Sequence, residues 1–110
     1  MPKAILVVES QPSDPSREDE YNEWYGGVHL REVCSVPGIV GARRYKLRSK
    51  GGVEADPGAP RYVAVYEIDA DDVTEPMREL SARSAEGRHT RSDAMQMDPR
   101  PTVALYELME

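Results

Sequence analysis

The longest uninterrupted aliphatic run in the chain is Ala4-Ile5-Leu6-Val7-Val8. A membrane-spanning helix needs about 20 such residues, and an amphipathic helix spaces its apolar positions by three and four. A short β-branched run reads instead as a central strand, Lys3 to Glu9, buried on both faces. Gln11-Pro12-Ser13-Asp14-Pro15 ends it, because proline has no N–H to give to a ladder.

The blocks that follow fit the same scale. Ser16 reads as a helix N-cap, with Glu18, Asp19 and Glu20 where the helix dipole favours negative charge. That helix is expected to run to Val33 or Cys34 and to stop before Pro37-Gly38. Ile39 to Leu47 reads as a second strand and Arg61 to Ile68 as a third, separated by a long polar hairpin loop through Gly51-Gly52 and Asp56-Pro57-Gly58. A second helix begins around Asp72 to Thr74, tolerates Pro76 in its first turn and closes at Gly87. Glu86 to Arg100 is polar and irregular, a candidate lid with Met95 and Met97 or an arm across a dimer. Thr102 to Met109 is the last strand.

The order β-α-β-β-α-β defines one α+β domain over residues 1–110. Two right-handed crossovers give a ferredoxin-like four-stranded antiparallel sheet with both helices on one face. The strands offer Val, Ile, Leu, Tyr and Ala to both sides, so the helix-free face would expose several hundred Å2 of apolar surface, which monomers rarely tolerate. A second copy is the simplest cover. A homodimer is expected, its two sheets closed into a dimeric α+β barrel.

Charge narrows the partners. Twenty acidic residues against 14 basic give a net charge of −6, which argues against nucleic acid and against an anionic membrane surface. No signal-peptide pattern opens the chain, so a cytoplasmic location is expected. Cys34 is the single cysteine, which excludes an internal disulfide and a cysteine-rich metal site. No His-x-x-x-His or comparable ligand set occurs, so no metal is expected, and no glycine fingerprint for a nucleotide is present.

Asn22-Glu23-Trp24-Tyr25-Gly26-Gly27-Val28-His29-Leu30, then Val36-Pro37-Gly38-Ile39-Val40 and Ala42-Arg43-Arg44-Tyr45, resembles the EthD-like group of dimeric α+β barrel proteins. The resemblance covers the first half well. In the second half only the element order and Tyr62-Val63-Ala64-Val65-Tyr66-Glu67 are similar. It implies a superfamily containing cofactor-free oxygenases of aromatic polyketides, polyketide cyclases, lactone isomerases and haem proteins, many with a pocket between sheet and helices. Relatives often carry a polar residue where this chain has Gly26-Gly27. A haem on His29 is conceivable within that superfamily, but the chain is short for it.

The first helix holds the candidate chemistry. At 100° per residue, Tyr21, Trp24, Tyr25, Val28 and Glu32 share a face, with His29 at its edge. Glu32 lies three residues after His29, which is contact spacing on a helix. A Glu32–His29 pair would orient the imidazole and favour its protonated form, a suitable proton carrier near neutral pH. His29, Glu32 and Tyr25 are therefore the catalytic candidates. Against this stands a packing role for His29, with Glu32 reaching water. Asn22, Trp24, Arg44 and Tyr66 are the substrate-binding candidates. Trp24, Tyr21 and Tyr25 would equally serve as core. Arg43 and Arg44 point to opposite faces of one strand, and alternation alone does not say which faces inward. Gly26-Gly27 either allows a close approach of a strand or a ligand or lies at an exposed turn, and it threatens the helix. His89 is expected in solvent and Cys34 in packing.

The resulting expectation is a small enzyme without metal or organic cofactor. It would act by proton transfer on an aromatic or polyketide-like molecule, as a cyclase, isomerase or oxygenase. The alternative is a non-catalytic dimeric binding or accessory module of an oxygenase system.

Overall fold

The structure, a computed structural model, describes residues 3–109. The chain begins with strand β1 (Lys3–Ser10) and turns through a short 3-10 segment (Pro15–Arg17) into helix α1 (Glu18–Trp24). A π-helical turn (Tyr25–His29) joins α1 to α2 (Leu30–Cys34), and strand β2 (Ile39–Lys46) follows. A miniature hairpin, β3 (Ser49–Lys50) and β4 (Val53–Glu54), sits inside the expected hairpin loop. Strand β5 (Tyr62–Asp69), helix α3 (Glu75–Ala85) and strand β6 (Thr102–Glu107) complete the chain. The main sheet has the order β2-β5-β1-β6 and is antiparallel throughout. This is the ferredoxin-like βαββαβ arrangement expected from the order of the blocks. No helix among the described residues is long and apolar enough to cross a membrane.

Alternation along each strand makes the core one-sided. Ala4 and Leu6 of β1 and Ala64, Tyr66 and Ile68 of β5 are buried against the helices, together with Tyr21, Tyr25, Val33 and Val36. β1 is central in the sheet, but only one of its faces is buried: Ile5 remains 38% exposed. Tyr45 and Tyr106 share that outer face, at 51% and 58% exposure.

Local chemistry shifts several boundaries. The cap before α1 is Asp14, not Ser16: its carboxylate accepts from the Ser16 amide at 2.9 Å and hydroxyl at 2.6 Å. Asp72 makes a similar turn just ahead of α3, accepting from the Thr74 amide at 3.0 Å and hydroxyl at 2.6 Å, with Thr74 itself at the N-cap position. The helix after α1 widens into a π turn at Tyr25–His29, where two glycines make regular α-helix weakest. A Cβ on Gly26 or Gly27 would meet nothing within 4 Å, so no strand makes the close approach that this pair would allow. The glycine that does need its missing side chain is Gly38. It has φ +95°, and a Cβ there would lie 2.8 Å from Cγ of Pro76 in the first turn of α3.

The segment after α3 is a docked strap. Ser13 N donates to Ala94 O at 2.6 Å, Gln96 N donates to Gln11 O at 2.9 Å, and Pro12 pairs with Met95. Arg17 and Asp93 form an ion pair at 2.6 Å, and Ala94 is fully buried. The expected irregular loop therefore closes over the start of the helical layer.

Candidate functional site

Strand β2 decides which arginine turns inward. Its pairing with β5 slips between Ile39 and Gly41, a bulge that exchanges the two faces. Without it, Arg43 would share the inner face with Ile39. With it, Ala42 and Arg44 lie opposite the inward residues Tyr66 and Ala64. Arg44 then reaches between tyrosines, its guanidinium carbon 4.5 Å from the Tyr25 ring centre, 5.0 Å from Tyr62 and 5.3 Å from Tyr21. These are cation–π distances.

A polar chain leads outward from this cage. Arg44 donates to Asn22 Oδ1 at 2.9 Å, and Asn22 Nδ2 donates to the Tyr62 hydroxyl at 3.0 Å. Tyr62 donates to Glu18, whose carboxylate also pairs with Lys46 at 2.8 Å. Deeper in, the Tyr25 and Tyr66 hydroxyls are 3.2 Å apart. Burial pushes Tyr25 up to about 12, despite the bond from Tyr66. Burial, with Tyr25 beside it, raises Tyr66 as well. Both phenols stay protonated at neutral pH. One bond between two O–H groups leaves one proton free for a ligand oxygen.

His29 stands at the other end of the cage. Its ring stacks on Trp24 at 4.8 Å and meets Tyr25 edge-on at 4.8 Å. His89, expected in solvent, lies 6.3 Å from His29, and His29 Nδ1 and His89 Nε2 are both buried without a hydrogen-bond partner. The expected Glu32–His29 pair does not form. The π turn inserts an extra residue between the helical segments and rotates Glu32 toward the strap. There its carboxylate accepts from the Thr90 amide at 2.9 Å and hydroxyl at 2.8 Å. Burial raises the Glu32 carboxyl, but the hydroxyl and amide of Thr90 together outweigh it and hold it below its ordinary value. Trp24 Nε1 donates to Thr90 O at 3.2 Å, so Thr90 is tied twice to the helical layer.

The imidazole is consequently neutral, not protonated. Burial, and then His89, push His29 down to about 4, and the attraction of Glu32 is too weak to offset them. At neutral pH the ring can accept a proton and has none to spare as an acid. Trp24, Tyr25 and His89 crowd its faces and flanks, which does not fit a haem macrocycle bound at this histidine. No group of three or more His, Cys, Asp or Glu side chains among the described residues is placed to hold a metal. Burial raises the half-buried Cys34 thiol, as its packing role requires.

Of the residues singled out from the sequence, Asn22, Tyr25, Arg44 and Tyr66 form one connected cluster. His29 and Trp24 border it through Tyr25, and Glu32 faces away. Sequence reasoning missed Glu18 and Thr90 and gave Tyr62 no part. Tyr62 alone carried a signal, since it shares the alternating face of Tyr66. Two surface cavities, of about 980 and 260 Å3, lie near the sheet ends, and neither is lined by His29, Tyr25, Tyr66 or Arg44.

Fold and site together define a ferredoxin-like α+β protein with a cationic tyrosine cage under its sheet. Among solved structures, it resembles an ethyl tert-butyl ether D (EthD) family protein from Bacillus halodurans C-125, with TM-score 0.58 and 17% identity over 99% of this chain and 100% of that one. It also resembles a monooxygenase from the gene ActVA-Orf6 of Streptomyces coelicolor, solved with nanaomycin D, with TM-score 0.54 and 14% identity over 99% of this chain and 89% of that one. Identities this low establish a common fold, the one the motifs between Asn22 and Tyr45 led us to expect. No family model and no curated protein matches the chain.

Proposed function

We propose that the chain is a small-molecule enzyme of the oxygenase, cyclase or isomerase type, working by proton transfer on an aromatic or polyketide-like substrate without a metal or organic cofactor. The observation that carries this reading is Arg44, held over Tyr25 and hydrogen-bonded to Asn22 in a half-buried site. One of its five N–H donors is committed to Asn22, and the others suit an enolate or phenolate oxygen. Neutral His29, against the same Tyr25 ring, accepts the proton that such a substrate loses. The negative charge then forming beside it raises its affinity for that proton. The spare hydroxyl proton of the Tyr25–Tyr66 pair steadies the carbonyl oxygen. Trp24 and the tyrosines supply flat apolar walls. The family resemblance and the fold shared with a monooxygenase crystallised with nanaomycin D support the substrate class.

The outer sheet face, with Ile5, Tyr45 and Tyr106 exposed, is proposed to pair with a second copy of the chain. The two together would make the dimeric barrel.

The test is deuterium exchange at the enolisable carbon of 2-tetralone in D2O. The protein should accelerate exchange, and His29→Gln and Arg44→Gln should each remove most of the acceleration. Exchange unchanged in both variants refutes the mechanism. The close packing around His29 favours a second reading, a binding module without turnover. Tetralone binding with no acceleration by the wild-type protein would establish that one.

A further inference from the structure

A separate cleft opens where β1 and β2 end and β5 and β6 begin, with a volume of about 980 Å3. Five cationic side chains line it: Lys46, Arg48, Lys50, Arg61 and Arg100. The one carboxylate in its wall is Glu9. This inverts the balance of a chain whose net charge is −6. Elsewhere Arg17 meets Glu20 and Asp93, Arg78 meets Asp72 and Glu75, and Arg88 meets Glu86, while Lys3, Arg31, Arg43 and Arg91 are exposed without an acidic partner among the described residues but line neither surface cavity. In the cleft only Lys46 has an acidic partner among the described residues, while Arg48, Lys50, Arg61 and Arg100 have none. Like charges gathered around a concavity repel one another unless something negative is bound there.

The rest of the wall is mixed, with polar Ser10, Gln11, Gln96 and Thr102 beside an apolar and aromatic part. Tyr45, Leu47, Val63 and Pro101 give it a surface that a bare inorganic ion would leave uncovered. Arginine forks match carboxylates and phosphates in two-point fashion. We propose that this cleft binds an organic anion, a carboxylate or phosphate monoester carried on an aromatic or aliphatic body. It is distinct from the cage around Arg44 but adjoins it, since Tyr62 lines the cleft and its hydroxyl bonds Asn22 and Glu18.

The experiment is calorimetric titration of the full chain with 2-naphthoate, 2-naphthyl phosphate, neutral 2-naphthamide and inorganic phosphate, at low and high salt. One of the two naphthyl anions should bind at least tenfold more tightly than the amide and than inorganic phosphate, and which one does separates carboxylate from phosphate ligands. Binding should weaken with salt and fall at least tenfold in the double variant Arg61→Gln/Arg100→Gln, whose exposed positions leave the melting temperature in place. An amide that binds as tightly as the anions, or a double variant that binds like the wild type, overturns the proposal. So does inorganic phosphate binding as tightly as the naphthyl anions. Arg44→Gln should leave this binding intact, and its loss there would place the anion in the cage instead. Sedimentation is run in parallel because Glu9, Tyr45, Val63 and Thr102 of the cleft also belong to the outer sheet face. A naphthoate-induced fall in mass assigns the cleft to a second copy's carboxylates and overturns the small-molecule reading.

Discussion

Replacing Gly38 with alanine should cost the fold about 3 kcal/mol, from two sources that can be separated. Gly38 has φ +95°, where an L side chain is strained by roughly 1–2 kcal/mol. The new methyl would also lie 2.8 Å from Pro76 Cγ and 3.3 Å from Ala70 Cβ. Pro76 is buried and its ring is rigid, so the helix must shift, and overpacking of this kind costs about 1–3 kcal/mol. The stiffer unfolded chain returns about 0.5 kcal/mol. Urea unfolding followed through Trp24, the single tryptophan, should show a lower midpoint at unchanged slope. For a chain of 110 residues the melting temperature should drop by roughly 10 °C. Adding Pro76→Ala should show a favourable coupling of about 1 kcal/mol, since it removes the clash and leaves the backbone strain. A Gly38→Ala variant within 0.5 kcal/mol of wild type, on the order of the scatter between surface substitutions, would refute the reasoning.

Gly26→Ala and Gly27→Ala should do the reverse, each stabilising by up to about 1 kcal/mol in the same urea assay, because a Cβ there meets nothing within 4 Å and alanine is the better helix former. Stability should fall as pH drops from about 6.5 toward 4. His29 is held near 4 in the fold against an ordinary 6.5, so the unfolded chain binds its proton first, at a cost approaching about 3 kcal/mol below both values. Comparing urea midpoints at pH 7 and 5 in wild type and His29→Gln isolates this window from the carboxylates, which titrate lower, and the variant should lose the slope. Glu32→Ala should free the strap at Thr90, raising hydrogen exchange of the Thr90 amide by roughly tenfold while lowering global stability by about 1 kcal/mol. Exchange unchanged in that variant would mean the strap is held by its other contacts alone.

The order of elements was readable because each block carries its own period and its own stop signal. β1, β2, β5 and β6 begin and end within two residues of where alternation and the flanking prolines and glycines place them. The turn Val36-Pro37-Gly38 has a physical reason beyond resemblance, the approach of Pro76. Candidate residues on the helix were identified, but their partners were not. The 3.6-residue period was carried unbroken through Gly26-Gly27, and the π turn made the angle of Glu32 wrong.

The linear chain thus settled what depends on neighbours within about one turn or one strand: the βαββαβ order, a strand with oppositely facing Arg43 and Arg44, and an aromatic helix face. Tertiary structure settled which side of that strand is inside, because a bulge between Ile39 and Gly41 exchanges the faces and no alternation pattern encodes a slip in pairing. It also gave Glu32 to Thr90, 58 residues away, and set His89 beside His29. Those contacts arise when the strap packs on the helices, and burial there, not any neighbour in sequence, makes the imidazole neutral.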